Sequence, residues 1–442
     1  MKPVMSEMRT AVIGALIVTL GPLSLSLYTP AMPMLVEAFQ TTPSAVKLSL
    51  SVYFFGFAFS QLACGPLSDA YGRRPVALGF FAVYAVGSVV AALSASIDGL
   101  LAGRLLQGVG AAAGIAISRA IVRDQFIGQN SARILNLIGL MLATAPAVAP
   151  TLGGLILGTL GWRAIFYVMT VYGLLVLALF AAGMTETNAN PDRTQARPGR
   201  VLRNYGTLLT DRRFMRAGVM LGMTLGGLYT LAALLPFVMI ETVGLTPTQF
   251  GMAMLLQTGA YTAGAALTGQ LLRRGVEAKR LIPAGLAFVA VGAIGFAIGL
   301  RLLPPSLLTV MGPAGLWAFG IALVMPGTTS DALLGYPTMA GAASALTGFL
   351  QIGGGLAGST VAALLFASPF VALTTIIPAM AVVALLAYAL PIAPEQQRKP
   401  SPDLEDLEVA VDPAAVLGAG GDEIETALAR RAPGAAEERR QN

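Results

Sequence analysis

The chain has no histidine, a single cysteine and only four lysines, and just 11% of its 442 residues are charged. A soluble domain carries about 25% charged residues, so this surface is not built for water. Without histidine there is no ordinary imidazole proton switch. One cysteine, Cys64, excludes an internal disulfide framework and a cysteine metal cluster, and reads as a small packing residue. None of Lys2, Lys47, Lys279 and Lys399 stands in a G-x-x-x-x-G-K-(S/T) phosphate loop, which argues against an ATP-driven pump. No compact nucleophile motif is present. The expectation is a protein that is not an enzyme, with no cofactor and no metal.

What the chain has instead is apolar length. Hydrophobic residues make up 55% of the sequence and the mean hydropathy is +0.74. The 51 glycines and 27 prolines would be odd in long soluble helices, but membrane helices tolerate both. A span needs about 20 apolar residues to cross about 30 Å of hydrocarbon. On that measure the sequence predicts helices near 11–33, 45–64, 75–95, 99–121, 134–157, 164–183, 217–241, 250–272, 281–303, 310–334, 340–366 and 370–393. The expected fold class is therefore an all-α membrane protein of twelve spans. Its organisation reads as a six-helix half (1–183), a linker (184–216), a second six-helix half (217–393) and a tail (394–442). The first apolar run is too long for a signal-peptide core and contains several prolines.

Residues 1–393 contain 22 Lys and Arg, of which 18 fall in the N-terminus, the linker and the loops on one side. Lys47, Arg163 and Arg301 fall on the other side, and Arg104 lies inside a span. The positive-inside rule then places both termini and the linker in the cytoplasm. The net charge of +6 needs no nucleic-acid partner. The tail holds 11 acidic and 6 basic residues among Pro, Gly and Ala, and reads as a mobile cytoplasmic segment. Two sets of six spans suggest a duplication, with only a faint echo of the loop after span 2 in 269–274.

The most specific signal is Gly65-Pro66-Leu67-Ser68-Asp69-Ala70-Tyr71-Gly72-Arg73-Arg74-Pro75, in the short turn between spans 2 and 3. Its glycines permit a tight turn. Asp69 can accept bonds from a neighbouring helix N-terminus, and Arg73 and Arg74 can pair with acids or with lipid phosphates, with Arg123 and Asp124 as further charges on the same side. Span 4 carries Arg104-Leu105-Leu106-Gln107-Gly108-Val109-Gly110, with an arginine about 9 Å inside the membrane. Arg104 is either bonded to the backbone of a neighbouring helix or part of proton or substrate coupling. Span 5 reads Ala145-Pro146-Ala147-Val148-Ala149-Pro150-Thr151-Leu152-Gly153-Gly154, where prolines bend the helix and glycines admit a neighbour.

These strings resemble the signatures of the major facilitator superfamily. The turn is similar to G-x-L-(S/A)-D-R-x-G-R-R, with Ala70 in place of the usual arginine. Span 4 is similar to R-x-x-Q-G-x-G. Span 5, with Pro146, Pro150, Gly153 and Gly154, resembles the G-P-x-x-G-G motif of drug exporters, with Ala149 at its first glycine. Trp162-Arg163 before span 6 resembles the family's W-R-x-x-F. The branch it resembles most is the bicyclomycin and chloramphenicol resistance group of drug:proton antiporters. That group usually reads D-M-Y-x-P-A-x-P in span 1, where this chain reads Ser26-Leu27-Tyr28-Thr29-Pro30-Ala31-Met32-Pro33.

The resemblance implies a multi-pass protein of the bacterial inner membrane, working as a monomer. It would export small, largely apolar, drug-like compounds in exchange for protons. Because Ser26 replaces the acid and no other acid reads as mid-membrane, the coupling candidates are Arg104 and Asp331. Mid-span candidates for the substrate cavity are Ser26, Tyr28, Tyr53, Phe57, Asn136, Met141, Tyr229, Gln257, Tyr261 and Gln351. A proton-independent facilitator or uptake carrier is the alternative, and a non-transporting receptor is a more distant one.

Overall fold

The computed structural model describes residues 3–126, 128–333, 336 and 339–391, and for residues 128, 129, 132, 136, 140, 143 and 147 the backbone alone. The predicted tail, 394–442, lies outside the described residues. Among those described there is no strand. Twelve long helices follow one another as α1 (Glu7–Ala38), α2 (Pro43–Tyr71), α3 (Arg73–Ala92), α4 (Ile97–Gln125), α5 (Gly128–Leu160), α6 (Trp162–Gly183), α7 (Arg212–Thr242), α8 (Pro247–Arg273), α9 (Ala278–Leu302), α10 (Leu307–Leu333), α11 (Ala340–Leu365) and α12 (Pro369–Ala389). Each covers one predicted span. A shorter linker helix, Pro198–Thr210, runs between α6 and α7.

Helix starts are written into the sequence as caps. The side chains of Ser6, Thr42, Ser96, Thr246 and Ser368 each accept a backbone N–H three residues on. Each thereby satisfies one of the donors that a helix N-terminus leaves unpaired. Proline, which has no N–H to lose, opens α2, α8 and α12. α1 is not one smooth rod. It breaks into a 3-10 turn at Thr29–Ala31, where Pro30 removes a ladder bond.

Eleven of the twelve helices have the length and apolarity to cross a membrane. The twelfth expected span, α8, is long enough at 27 residues. Gln257, Thr258, Tyr261, Thr262, Thr268 and Gln270 dilute its hydropathy. Of these, Gln257 and Thr268 are buried against neighbouring helices, whereas Thr262 and Gln270 are exposed. Large apolar side chains such as Leu155, Val171, Leu302 and Leu386 are more than half exposed, as lipid-facing residues are.

The largest apolar core draws mainly on α1 to α6, and a second draws on α7 to α12. Trp317 sits fully buried in the second, with its indole N–H donated to Thr224 O at 2.9 Å. The first six helices meet the last six chiefly where α5 packs on α8 and α2 packs on α11. The linker helix buries Tyr205 and Leu208 against Phe214, Ala332 and Leu346. Tyr205 also donates its hydroxyl to Leu62 O of α2 at 2.8 Å.

Candidate functional site

The junction expected as a turn over 65–75 is helical to Tyr71 and again from Arg73, with Gly72 alone between, and it carries a closed charge network. Arg73, only 4% exposed, forms an ion pair with Asp69. Its Nε donates to Asp124 Oδ2 at 2.9 Å and its Nη2 to Asp124 Oδ1 at 3.4 Å. The two bonds make a bidentate fork that ties the α3 start to the α4 end. Nη1 of Arg73 also donates to Ser68 Oγ at 2.8 Å. Arg123, the neighbour of Asp124, is exposed.

The helix N-terminus that Asp69 was expected to cap is capped by Glu186 instead. Glu186 Oε1 accepts the Arg73 N–H and Oε2 the Arg74 N–H, both at 2.9 Å. Asp69 lies in the last turn of α2, beside the Arg73 guanidinium, and spends its charge there. Glu186 comes from the chain just beyond α6, and its Oε1 also accepts the Thr187 and Asn188 N–H groups. Arg74 completes the tie by donating to Ala181 O of α6 at 2.8 Å. Gly72 makes the arrangement feasible. Its φ of +99° disfavours any side chain, and a Cβ would fall 2.7 Å from Glu186 Oε2. The sequence carried one hint of Glu186: it is the only acid between α6 and Asp192.

Deep in the first six helices, Arg104 is wholly buried. Its guanidinium lies between two rings, 4.5 Å from the centroid of Tyr28 and 4.4 Å from that of Tyr53. Nη1 donates to Ser24 O of α1 at 3.2 Å and to Gln107 Oε1 at 2.9 Å. The backbone bond and the aromatic contacts are therefore both present, and no carboxylate pairs with Arg104 among the described residues. Nε and Nη2 have no hydrogen-bond partner there. The surrounding hydroxyls form a shell. Tyr28 OH meets Ser49 Oγ at 2.6 Å, Tyr53 OH donates to Gly21 O at 3.0 Å, and Ser24 Oγ meets Tyr84 OH at 2.5 Å. Gln107 passes the chain on to Ser88 Oγ at 2.9 Å. Cation–π contact and hydroxyl dipoles replace the acid that a buried cation ordinarily needs.

The cavity candidates fall into three groups. Tyr28 and Tyr53 are buried against Arg104, with Phe57 buried beside Tyr53, and Ser26, 8% exposed, lies two residues before Tyr28 and accepts Thr29 Oγ1 through its carbonyl at 3.0 Å. Tyr229 reaches the same wall from α7, its ring 5.4 Å from that of Phe54. On α8, Gln257 is 5% exposed with an unpartnered Nε2, and Tyr261 directs its hydroxyl to Met325 Sδ at 3.7 Å. Gln351 is half-buried on α11. Met141 is 39% exposed and stands apart from these buried groups. The side chain of Asn136 is outside the described residues.

Asp331 lies near the end of α10, with its carboxylate 2.8 Å from Lys279 Nζ at an exposed site. The α5 motif is placed at backbone contacts. Cβ atoms at Gly153 and Gly154 would run into Leu27 O of α1 and Pro247 O of α8 respectively. Thr151 Oγ1 donates to Gly251 O at 3.0 Å, and Thr248 Oγ1 to Gly154 O at 3.2 Å. Pro146 and Pro150 break the α5 ladder just before this crossing.

Against known proteins, the family model described as Major Facilitator Superfamily matches residues 14–359. An uncharacterised MFS-type transporter of Bacillus subtilis is 32% identical over 347 residues, covering 78% of this chain and 85% of that protein. A chloramphenicol resistance protein of Pseudomonas aeruginosa is 30% identical over 345 residues, covering 77% and 80%. Among solved structures, a D-xylose–proton symporter superposes with a TM-score of 0.66 at 14% identity, covering 87% of this chain and 98% of that one.

Proposed function

The chain belongs to the Major Facilitator Superfamily, whose members are membrane transporters and not enzymes, and from that membership we propose that it exports small, largely apolar, drug-like compounds by secondary active transport. The observation that carries this reading is the aromatic wall around Arg104. Tyr28, Tyr53, Phe54 and Tyr229 bring rings from both sets of six helices to one place, with the Arg104 charge and, among the described residues, no acid paired with it. Tyr28, Tyr53 and Phe54 are closely packed here, and a cavity that opened between the two sets of helices would be lined by these rings; such a lining suits uncharged apolar bodies and gives no counter-charge to a cationic drug. The chloramphenicol resistance relative supports an export role.

The proposed mechanism is alternating access between 1–183 and 217–393, joined by the linker 184–216. The Asp69–Arg73–Asp124 cluster with Glu186 holds the cytoplasmic ends of α2, α3, α4 and α6 together as one body. The α5 segment from Pro146 to Gly154 acts as the pivot against α1 and α8. Both termini are cytoplasmic, the membrane is the bacterial inner membrane, and the working unit is a monomer.

Proton antiport is the proposed drive, with Arg104 and its hydroxyl shell as the candidate coupling group ahead of Asp331. The absence of a carboxylate at Arg104 among the described residues favours a second reading, facilitated movement without protons. Drug-sensitivity profiling of an efflux-deficient host, with and without this gene, tests export. Unchanged sensitivity to every compound in a broad panel would overturn it. Proteoliposomes carrying an imposed proton gradient separate the two drives.

A further inference from the structure

Lys47 stands five residues into α2, at the opposite end of that helix from Asp69. The two lie about 33 Å apart along the axis. A lysine this near a helix start reads as an exposed interface charge, yet Lys47 is 0% exposed. Its Nζ donates to Ala362 O at 2.8 Å and to Phe366 O at 3.0 Å. Both acceptors belong to the end of α11, where a helix leaves carbonyls unpaired and its dipole is negative. The α11 C-cap, Phe366, leaves the helix in an extended conformation, so the ammonium takes the place of the missing backbone donor. One turn deeper, Ser51 Oγ meets Ser359 Oγ at 3.0 Å between the same two helices, and both are buried.

We propose that Lys47 is the latch that holds α2 to α11 at the membrane face remote from the Asp69 turn, and that its two bonds to the α11 end must break for that face to open. The inference rests on the alternating-access reading above. Among the described residues, the ties Ser51 to Ser359 and the α5–α8 threonine bonds at this face are neutral, whereas Lys47 supplies a charge-assisted pair. Lysine suits a contact that is made and broken in every cycle. Its compact ammonium on a flexible stem exchanges carbonyls for water without needing a fixed fork geometry. Opening hydrates the charge and frees the carbonyls together, so the latch releases into water rather than leaving a buried orphan.

The test uses Ser51→Cys with Ser359→Cys in a Cys64→Ser background, reconstituted in liposomes, with a protease site inserted at Gly199. The hydroxyl separation places the two thiols within reach of a disulfide. Copper-phenanthroline oxidation, proteolysis and gel electrophoresis then read the rate at which the two halves become linked. Adding Lys47→Met is expected to slow linking about tenfold, the loss of a charge-assisted pair. Lys47→Gln is expected to slow it less, and Lys47→Arg to leave it near the parent rate. Equal rates in the parent and the Met variant would overturn the latch, and if the Met protein is not recovered the Gln variant decides on the same criterion. Linking needs no substrate. A slowed rate therefore upholds the latch even if drug profiling shows no export, and an unchanged rate beside intact export removes the latch alone.

Discussion

Glu186 and Arg73 are 113 residues apart in sequence, yet the carboxylate of the first accepts the backbone N–H of the second at 2.9 Å. One acid from the chain after α6 thus caps α3 and fixes the geometry in which the Arg73 side chain meets Asp69 and Asp124. The charge cluster at the turn is a three-segment assembly rather than a property of the turn alone.

Removing that cap should be felt. Glu186→Ala leaves the Arg73 and Arg74 N–H groups without their acceptor. A hydrogen bond to a charged group contributes about 1.5–3 kcal/mol. The expected outcome is a lower unfolding temperature in detergent and export reduced about tenfold. An unfolding temperature within error of the parent would show that water replaces Glu186 fully.

The two acids around Arg73 should not be equivalent. Asp124 is 15% exposed and holds Arg73 through a fork, whereas Asp69 is 36% exposed. Asp124→Asn is therefore expected to impair export more than Asp69→Asn, by about threefold or more, given the greater strength of bidentate pairs. Side-by-side transport assays at matched expression check the ranking, and the reverse order would assign the gate to Asp69.

Arg104→Lys is expected to lose export about tenfold or more despite keeping the charge. An ammonium cannot lie as a plane between the Tyr28 and Tyr53 rings while reaching Ser24 O and Gln107. Parent-like export by the lysine protein would mean that charge alone is used there.

Asp331→Asn, by contrast, is expected to leave proton movement unchanged. Its pair with Lys279 lies at an exposed site, where such pairs contribute about 0–1 kcal/mol. Substrate-induced acidification of proteoliposomes is the readout. Loss of acidification with downhill exchange intact would make Asp331 the coupling acid.

Asp211, the N-cap of α7, gives a pH dependence. Burial raises its pKa, but that is outweighed by bonds from Tyr336 and from the Arg213 and Phe214 N–H groups, which hold it below the usual carboxylate value. A depressed acid contributes stability above its unfolded pKa and loses it as pH falls through the folded one. Asp211→Ala is expected to cost about 1 kcal/mol at pH 7, with the difference from the parent shrinking as pH falls below about 4. Melting curves at pH 7 and pH 3 check this.

Long apolar runs made all twelve helices legible, because bilayer thickness is a strong filter on sequence. The turn motif and Arg104 were legible for a related reason, since charges that close to or within a span are rare enough to stand out. α8 was legible as a helix although its polar residues keep it below the apolarity of the other eleven. Glu186 and Lys47 were not legible as partners. A lone acid after a span and a lone lysine before one look like ordinary solvated charges, and only the path of the chain brings the first to α3 and the second to α11. Asp69 was read as an acid of the loop and given the cap that Glu186 provides, whereas it ends α2, because sequence spacing can neither fix that helix end nor rank two carboxylates for the next one.

The chain has only two tryptophans, and they fall one in each set of six helices. Trp317 is sealed in the second core with its N–H bonded, while Trp162 stands at the start of α6, its ring 5.1 Å from Phe39 and 4.3 Å beneath the Arg163 guanidinium. The molecule therefore carries a native optical reporter in each half. Phenylalanine at either position isolates the emission of the other, so that quenching by ligand or by an aqueous collisional agent can be assigned to one half without any attached dye.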